Sequence, residues 1–310
     1  AAAAALPLLI ITILLLRAQR SLLGRRGYAV VGGKYGEPRR LALGAWRWVA
    51  LALCLIVLSF PVFLPYAALI KAAFTRVPSE PISFAALTLH HVNFVFVEFS
   101  QTKLALKNTI LLGALTATIG TVLAFVIAYL TTRQAIIGHR VLGFLATAPV
   151  AIPGIVLGVG LFLAYTRPPL VLYGTLWILL LAYLTIELPA AYQQLQSAFK
   201  AVHPELEEAS RILGATRLQA MRHVTAPLLR SGVIAAWCFI FIGVMRELSA
   251  AILLFTANTK VISVVIYDLN ESGDLGAISV LGLSLLAITF AVVIMVNRLP
   301  GAGAPRAQSG

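Results

Sequence analysis

The stretch PELEEASRILGATRLQAMRHVTAPLLRSG, residues 204–232, is polar and basic, and it lies between two long apolar runs. Its first twenty residues are rich in the strong helix formers Glu, Leu, Ala, Arg, Met and Gln. Pro204 suits a first helical turn, and the acidic residues that follow favour the positive end of the helix dipole. Gly214 interrupts the pattern and permits a sharp change of direction. The stretch therefore predicts two short helices joined at Gly214, the second ending before Pro227.

The rest of the chain is mostly apolar. Of its 310 residues, 60% are hydrophobic and 11% are charged, whereas soluble domains carry about 25% charged residues. Several runs reach the roughly 20 residues that a helix needs to cross a bilayer, and a backbone in lipid must satisfy its own hydrogen bonds. These features predict an all-α, polytopic membrane protein. Its six expected spans are 48–70, 105–131, 141–165, 170–190, 231–255 and 276–297.

Lys and Arg residues are divided unequally between the connections on the two sides of these spans. One alternating set carries 17 of them and the other carries 5. Cytoplasmic loops carry an excess of Lys and Arg, so the first set is predicted to be cytoplasmic. The same loops account for the net charge of +13, which argues against nucleic-acid binding. The cytoplasmic set comprises 17–47, 132–140, 191–230 and 297–310.

The ends of the chain suggest a longer arrangement. The charges follow the first apolar stretch instead of preceding it, which is unlike a signal peptide. Residues 1–16 are therefore predicted to be the end of a preceding transmembrane helix, and 17–47, with eight Lys or Arg and one Glu, a cytoplasmic linker. A six-helix domain follows at 48–297, with its main cytoplasmic loop at 191–230, and 298–310 is predicted to be a cytoplasmic tail.

The opening stretch has a specific spacing. Glu208, Ala209 and Ser210 are followed by three residues, Gly214, nine residues, and then Val224-x-Ala226-Pro227. This resembles the EAA loop of type I permeases of ATP-binding-cassette (ABC) importers, whose pattern is E-A-A, three residues, G, nine residues and I-x-L-P. Ser210 replaces the third-position Ala, and Ala226 replaces Leu. Composition alone would leave open an amphipathic helix that rests on anionic headgroups.

The resemblance extends over essentially the whole chain. PVAIPGIVLGVGLFLAY (149–165) and MRELSAAILLF (245–255) are similar to two core helices of these permeases, and YAVVGGKYGEPRRLALGAWRW (28–48) resembles the linker between the fused halves of ferric-iron permeases. The resemblance implies the C-terminal half of such a permease in a bacterial inner membrane. It also implies these partners: two ATP-binding cassette subunits, an N-terminal permease half, a periplasmic substrate-binding protein and membrane lipid.

The resemblance makes the opening stretch the coupling helix, which docks on the ATPase. The expected coupling residues are Glu207, Glu208, Ala209, Ser210, Gly214, Ala215, Val224 and Pro227. The chain has no G-x-x-x-x-G-K-[ST] run, so it is not expected to be an enzyme or to bind a cofactor. ATP and Mg are expected on the partner ATPase. Ferric iron is the favoured substrate, and thiamine, polyamine or phosphonate remain alternatives.

The apolar spans contain candidates for the translocation path. Gly154 and Gly158 have a spacing that lets helices approach closely, for which packing is the ordinary explanation. Arg246 and Glu247 are charges within a span, each costing about 2.5–3.5 kcal/mol at the bilayer centre, and they belong either to a structural pair or to the path. Glu187 is expected at the inner end of its span. The full set of path candidates is Pro153, Gly154, Gly158, Arg246, Glu247 and Ser249.

Other classes of function have less support. A secondary transporter or a channel would need an ion-coupling constellation or an inverted repeat, and neither is found. A membrane scaffold without transport activity is a third class. His90 and His91 lie side by side without further ligands, so no metal site is expected. Cys54 and Cys238 lie inside apolar runs and suggest neither a disulfide nor a metal site.

Overall fold

The computed structural model describes residues 43–77 and 86–298 of the chain. They divide into a unit that ends at Val57 and a unit that begins at Leu58. The predicted helix end at 1–16, most of the linker 17–47 and nearly all of the tail 298–310 lie outside the described residues. Every site discussed below lies in the second unit.

The described residues are helical, apart from their connections and one isolated antiparallel bridge between Thr75 and Leu87. The principal helices, in chain order, are α1 (Trp46–Leu58), α2 (Leu64–Phe74), α3 (His90–Asn93), α4 (Gln101–Thr132), α5 (His139–Thr147), α6 (Gly154–Tyr165), α7 (Leu176–Ala201), α8 (Glu205–Ile212), α9 (Arg217–Ala220), α10 (Ala226–Leu228), α11 (Arg230–Arg246), α12 (Ala251–Leu254), α13 (Ile262–Glu271) and α14 (Leu275–Asn297). The predicted all-α fold class is confirmed.

Among the described residues, four helical stretches are long and apolar enough to cross a membrane: Trp46–Phe74, which joins α1 and α2 through a π-helical turn, and helices α4, α7 and α14. Two bent helix pairs raise the number of candidate spans to six. The pair 139–151 and 154–165 bends by 106°, and the pair 217–228 and 230–246 bends by 72°. The first bend follows Pro149 and Pro153, where a helix loses backbone donors. The six predicted spans thus overlap four long helices and two bent pairs, although the first arm of the second pair, 217–228, lies within the loop 191–230 that is predicted to be cytoplasmic.

The predicted boundaries of two spans differ from those of the helices. The span expected at 170–190 is helix α7, which begins at Leu176 and continues to Ala201. The Thr175 hydroxyl accepts a hydrogen bond from the Trp177 N–H and caps its start, and Pro189 lies inside it. The span expected at 231–255 ends at Arg246, where Glu247 turns to an extended conformation. Apolar composition shows which segment enters the hydrocarbon region, but caps and backbone dihedral angles decide where its helix begins and ends.

Helix α4 is central to the bundle and packs against α7 and α11. Its buried face consists of small or short residues three or four positions apart, which lets neighbouring helices approach closely. A Cβ added to Gly120 would lie 3.1 Å from the Ile240 Cδ1 atom of α11. This face comprises Thr102, Ala105, Asn108, Thr109, Leu112, Gly113, Thr116, Ala117, Gly120, Thr121, Ala124 and Ala128.

The predicted orientation has a direct test. Ser197 lies near the end of α7 that leads to the basic loop, and Ser272 follows α13 on the opposite set of connections; both are exposed. We expect Ser272→Cys to react with a membrane-impermeant thiol reagent in intact cells and Ser197→Cys to resist it, because Lys and Arg favour the cytoplasmic side. The reverse labelling pattern would overturn the orientation.

Candidate functional site

The segment 202–229 folds as two short helices with a turn between them. Helix α8 follows Pro204 and carries three acidic residues in its first turn. It ends at Ile212, and Gly214 then adopts a φ of +93°, in the left-handed region that a residue with a side chain rarely occupies. The Gly214 N–H donates to the Arg211 carbonyl at 3.0 Å, and the Ala215 N–H donates to the Ser210 carbonyl at 3.2 Å. Gly214 therefore sets the change of direction that the sequence predicts.

The second helix starts with a reciprocal cap. The Thr216 hydroxyl accepts from the Gln219 N–H at 3.3 Å, and the Thr216 N–H donates to the Gln219 carboxamide oxygen at 2.8 Å. The prediction that this helix ends before Pro227 is wrong. A π-helical turn at Met221–Thr225 leads into α10, where Pro227 occupies one of the first positions and no amide hydrogen is needed there.

Glu207 differs from the other coupling candidates because its carboxylate is engaged inside the chain. The Arg133 Nε atom donates to Glu207 Oε1 at 2.9 Å, and Arg133 Nη2 donates to the Val202 carbonyl at 3.0 Å. The two side chains are only 12% and 11% exposed. Removing one partner of a buried ion pair costs about 3–5 kcal/mol, since the other charge is left uncompensated. Glu207 thus holds α8 against the end of α4.

The remaining coupling candidates are more accessible. Glu208, Ala209, Gly214 and Pro227 are exposed, and Ser210, Ala215 and Val224 are half-buried. The structure adds an apolar tip, which we define as Ile212, Leu213 and Leu218. Ile212 is 85% exposed and Leu213 is 89% exposed. Sequence reasoning overlooked this tip, although an apolar pair beside the glycine of a polar stretch was a visible signal.

A polar cavity of about 300 Å³ lies between the end of α4 and the coupling helices. Arg133, Arg211 and Arg217 line it together with Glu207 and Glu208. The arrangement places positive and negative side chains beside the exposed Glu208. A partner that brings complementary charges to this surface would gain orientation more than affinity from them.

The path candidates on the two bent spans come together. A Cβ added to Gly154 would lie 2.9 Å from Ser249 Cβ and 3.5 Å from Glu247 Oε1, and one added to Gly158 would lie 3.3 Å from the Ala250 Cα atom. Pro153 precedes α6 as its N-cap. The break at Pro153 before α6 and the turn at Glu247 after α11, together called the bends from here on, are therefore packed against each other, with glycines providing the necessary space.

Glu247 has a structural task at this contact. Its carboxylate accepts from the Ala250 N–H at 3.3 Å and from the Ala251 N–H at 3.4 Å, so it caps the short helix α12. Its carbonyl accepts from the Ser263 hydroxyl at 2.7 Å. Arg246, in contrast, is exposed at the end of α11. Of the two adjacent charged residues, Arg246 is the more exposed one.

Glu187 does not lie at an end of its helix. It lies in the middle of α7, half-buried, and its carboxylate contacts Gly243 of α11 so closely that a side chain at Gly243 would have no room. Arg246 and Glu247 both interact with it electrostatically. Glu187 therefore belongs with the charged residues at the bends. Pro189, which follows it and which the helix accommodates, suggested an end of the span at this position.

The two adjacent histidines do not form a metal site with other residues. The His91 ring contacts the Thr75 carbonyl at 3.2 Å and lies 3.9 Å from Asp274, which caps α14. Throughout residues 43–77 and 86–298, no group of three or more His, Cys, Asp or Glu residues is arranged to hold a metal ion.

Comparison with known proteins gives a family match. The model of the family described as "Binding-protein-dependent transport system inner membrane component" matches residues 120–300. These residues include the coupling helices, the cavity beside them and both bent spans.

Individual relatives match the chain at modest sequence identity. The ferric transport system permease protein FbpB of Actinobacillus pleuropneumoniae is 26% identical over 301 residues, which cover 95% of this chain and 43% of that protein. A putative 2-aminoethylphosphonate transport system permease protein, PhnV of Salmonella typhimurium, is 28% identical over 151 residues, covering 49% of this chain and 57% of PhnV. The chain thus spans about half the length of the curated relatives it matches.

A solved structure shares the fold. A chain in the crystal structure of a bacterial alginate ABC transporter, in complex with an alginate pentasaccharide-bound periplasmic protein, superposes with a TM-score of 0.63. The match covers 81% of this chain and 93% of that chain, at 20% sequence identity. The chain therefore has the same fold as that transporter chain.

Proposed function

The chain belongs to the family of binding-protein-dependent transport system inner membrane components, and on that premise we propose that it conducts ferric iron through the membrane for an ATP-driven importer. It is a type I ABC importer permease and a multi-pass membrane protein, and permease subunits of this class are not themselves enzymes. The observation that carries the proposed coupling to an ATP-driven partner is the apolar tip. It lies on a segment whose fold is set by Gly214 and by the Arg133–Glu207 pair.

Coupling of ATP hydrolysis to transport follows from the exposure of the apolar tip. The tip exposes Ile212 and Leu213 to solvent, and a partner that covers them gains the free energy of burying apolar surface, about 25 cal/mol per Å². Two ATPase subunits that hold ATP and Mg would receive the tip. Closure of the ATPases on ATP would push the segment 202–229, and α7 and α11, which leave it in both directions along the chain, would carry the movement to the bends.

Ferric iron is supported by the relative that matches nearly the whole chain. Its partners would be a periplasmic iron-binding protein and an N-terminal permease half in the same bacterial inner membrane. The phosphonate permease match supports a second substrate class over about half of the chain. Thiamine and polyamine remain members of the same permease class without a specific observation in their favour.

The functional class and the substrate are tested separately. An affinity tag on the full-length protein should co-purify ATP-hydrolysing chains, which neither a secondary transporter nor a membrane scaffold would bring. Proteoliposomes with the assembled complex, ATP inside and loaded binding protein outside should then accumulate ferric iron and leave 2-aminoethylphosphonate behind. Absence of ATPase chains would overturn the class, and the opposite uptake preference would overturn only the substrate.

Arg246 should contribute to substrate passage. It is an exposed cation beside the bends, and a charged hydrogen bond to an anion-associated ferric substrate contributes roughly 1.5–3 kcal/mol. We expect Arg246→Gln to lower uptake per assembled complex by about tenfold, as 1.4 kcal/mol corresponds to tenfold. Arg246→Lys should retain most uptake if charge suffices, and should behave like Gln if the planar donor fork is needed. Unchanged uptake in both variants would remove Arg246 from the path.

A further inference from the structure

Helix α4 is fastened by side chains at both of its ends, to two segments that are far apart in the sequence. At the end that is predicted to be cytoplasmic, Arg133 joins it to Glu207 and to Val202 of the coupling segment. At the other end, its first turns are joined to the connection 256–262, which follows the turn at Glu247 and the short helix α12. The two fastenings involve different helices and share no residue.

The outer fastening consists of four side-chain hydrogen bonds. The Asn108 carboxamide donates to the Asn258 carbonyl at 3.1 Å and to the Lys260 carbonyl at 3.0 Å, and the Thr109 hydroxyl accepts from the Ile262 N–H at 2.9 Å. The Lys260 Nζ atom donates to the Gln101 carboxamide oxygen at 2.7 Å. Asn108 and Thr109 are buried, so their loss would leave backbone groups without partners in a protected site.

This connection is continuous with the charged residues at the bends. It leads from α12, which Glu247 caps, to α13, where the Ser263 hydroxyl holds the Glu247 carbonyl. A displacement of the connection would therefore reach the contact between Glu247 and Gly154.

Helix α4 itself is suited to transmit a displacement. It is continuous over 32 residues and contains no proline, so it spans about 48 Å at 1.5 Å per residue. Its small buried residues pack closely against α7 and α11. A helix of this kind moves as one body more readily than it bends, because a sharp kink needs a proline, a π-bulge or an inserted group.

We infer that α4 is a rigid link that makes the connection 256–262 move with the coupling segment, and that Arg133 and Asn108 are the positioning residues at its two ends. This inference rests on the proposed function, which supplies the movement. The covalent connections through α7 and α11 also reach the bends, but they pass through Pro189 and through the 72° bend before α11. The link through α4 bypasses both.

The experiment uses Ala257→Cys as a reporter, because Ala257 is exposed and lies within the fastened connection. It is placed in the full-length permease with every other cysteine replaced, assembled with its ATPase subunits and reconstituted in lipid nanodiscs. The rate of labelling by a soluble maleimide is measured without nucleotide and with ATP and vanadate. The variants are Arg133→Ala, Arg133→Lys and Asn108→Ala, and the matched control is Arg140→Ala, an exposed arginine in the first turn of the next helix, α5.

We expect nucleotide to change the labelling rate roughly fivefold in the otherwise unmodified reporter, as for a modest shift between two states. Arg133→Ala and Asn108→Ala should reduce this ratio to near one, Arg133→Lys should restore part of it, and Arg140→Ala should leave it unchanged. An unchanged ratio in either assembled alanine variant would overturn the inference. So would failure of both variants to assemble, since the contacts would then serve assembly alone.

Failure of the proposed function gives a different result. In that case no ATPase subunit co-purifies, or the unmodified reporter does not respond to nucleotide at all. If nucleotide changes the labelling rate equally in the unmodified complex and in both assembled alanine variants, the proposed function stands. Only the rigid link is then removed.

Discussion

Gly214→Val is expected to lower uptake by about tenfold while the permease still inserts and assembles. Gly214 has a φ of +93°, and an added Cβ would meet nothing within 4 Å, so the effect comes from backbone strain and not from a clash. A left-handed conformation costs an L-residue roughly 1–2 kcal/mol, and a β-branched side chain makes it worse. The strain would be relieved by turning α8 relative to α9, which displaces the apolar tip from its partner. Uptake and binding-protein-stimulated ATP hydrolysis should fall together.

Two matched variants separate this effect from general strain. Gly214→Asn should retain most of the activity, because Asn tolerates the left-handed region better than other residues. Gly174→Val introduces comparable strain at a φ of +83°, also in open space, but in a connection that is predicted to lie on the other side of the membrane. Transport by Gly214→Val at the level of Gly174→Val would remove the turn from the coupling mechanism.

Gly158→Leu should have the second large effect, on the contact between the two bends. A Cβ at this position would lie 3.3 Å from the Ala250 Cα atom and 3.4 Å from its carbonyl oxygen, and backbone atoms cannot rotate away. Overpacking of this kind costs roughly 1–3 kcal/mol. We expect less folded complex after a heat challenge, measured by size-exclusion chromatography, and lower uptake by what remains.

Gly160→Leu provides the control on the same helix. Two residues further along α6, an added Cβ meets nothing within 4 Å. The two variants add the same side chain to the same apolar helix and differ in what that side chain meets. Equal heat resistance and equal uptake for the pair would show that the bends need no close contact.

The spans and the coupling turn were predictable because each depends on local sequence. Apolar runs of bilayer length predict helices wherever they occur, and a lone glycine in a helical stretch predicts the turn found at Gly214. For the same reason, the six predicted spans overlap four long helices and two bent helix pairs. Proline positions marked the first bend, although not its angle.

The contacts between distant residues were not predictable from one sequence. Arg133 and Glu207 are 74 positions apart, and nothing local distinguishes Arg133 from other arginines in basic loops. Pro189, two residues after Glu187, suggested a helix end, whereas α7 continues through Pro189 to Ala201. The fold of each segment follows its own residues, but the partner of each charge is decided by how the segments are packed.

The apolar tip of the coupling segment has a consequence for the life of the protein before it is assembled. If the proposed coupling holds, a permease made without its ATPase would display Ile212, Leu213 and Leu218 to the cytosol, two of them more than four-fifths exposed. Exposed apolar clusters of this kind are also what marks an incompletely folded chain for aggregation or for chaperones and proteases. The surface that joins the subunits would thus expose an unassembled subunit to chaperones and proteases, and burial of this surface by the partner would protect it from them. Subunit stoichiometry could be balanced in this way without any dedicated regulator, by the degradation of whichever permease finds no ATPase.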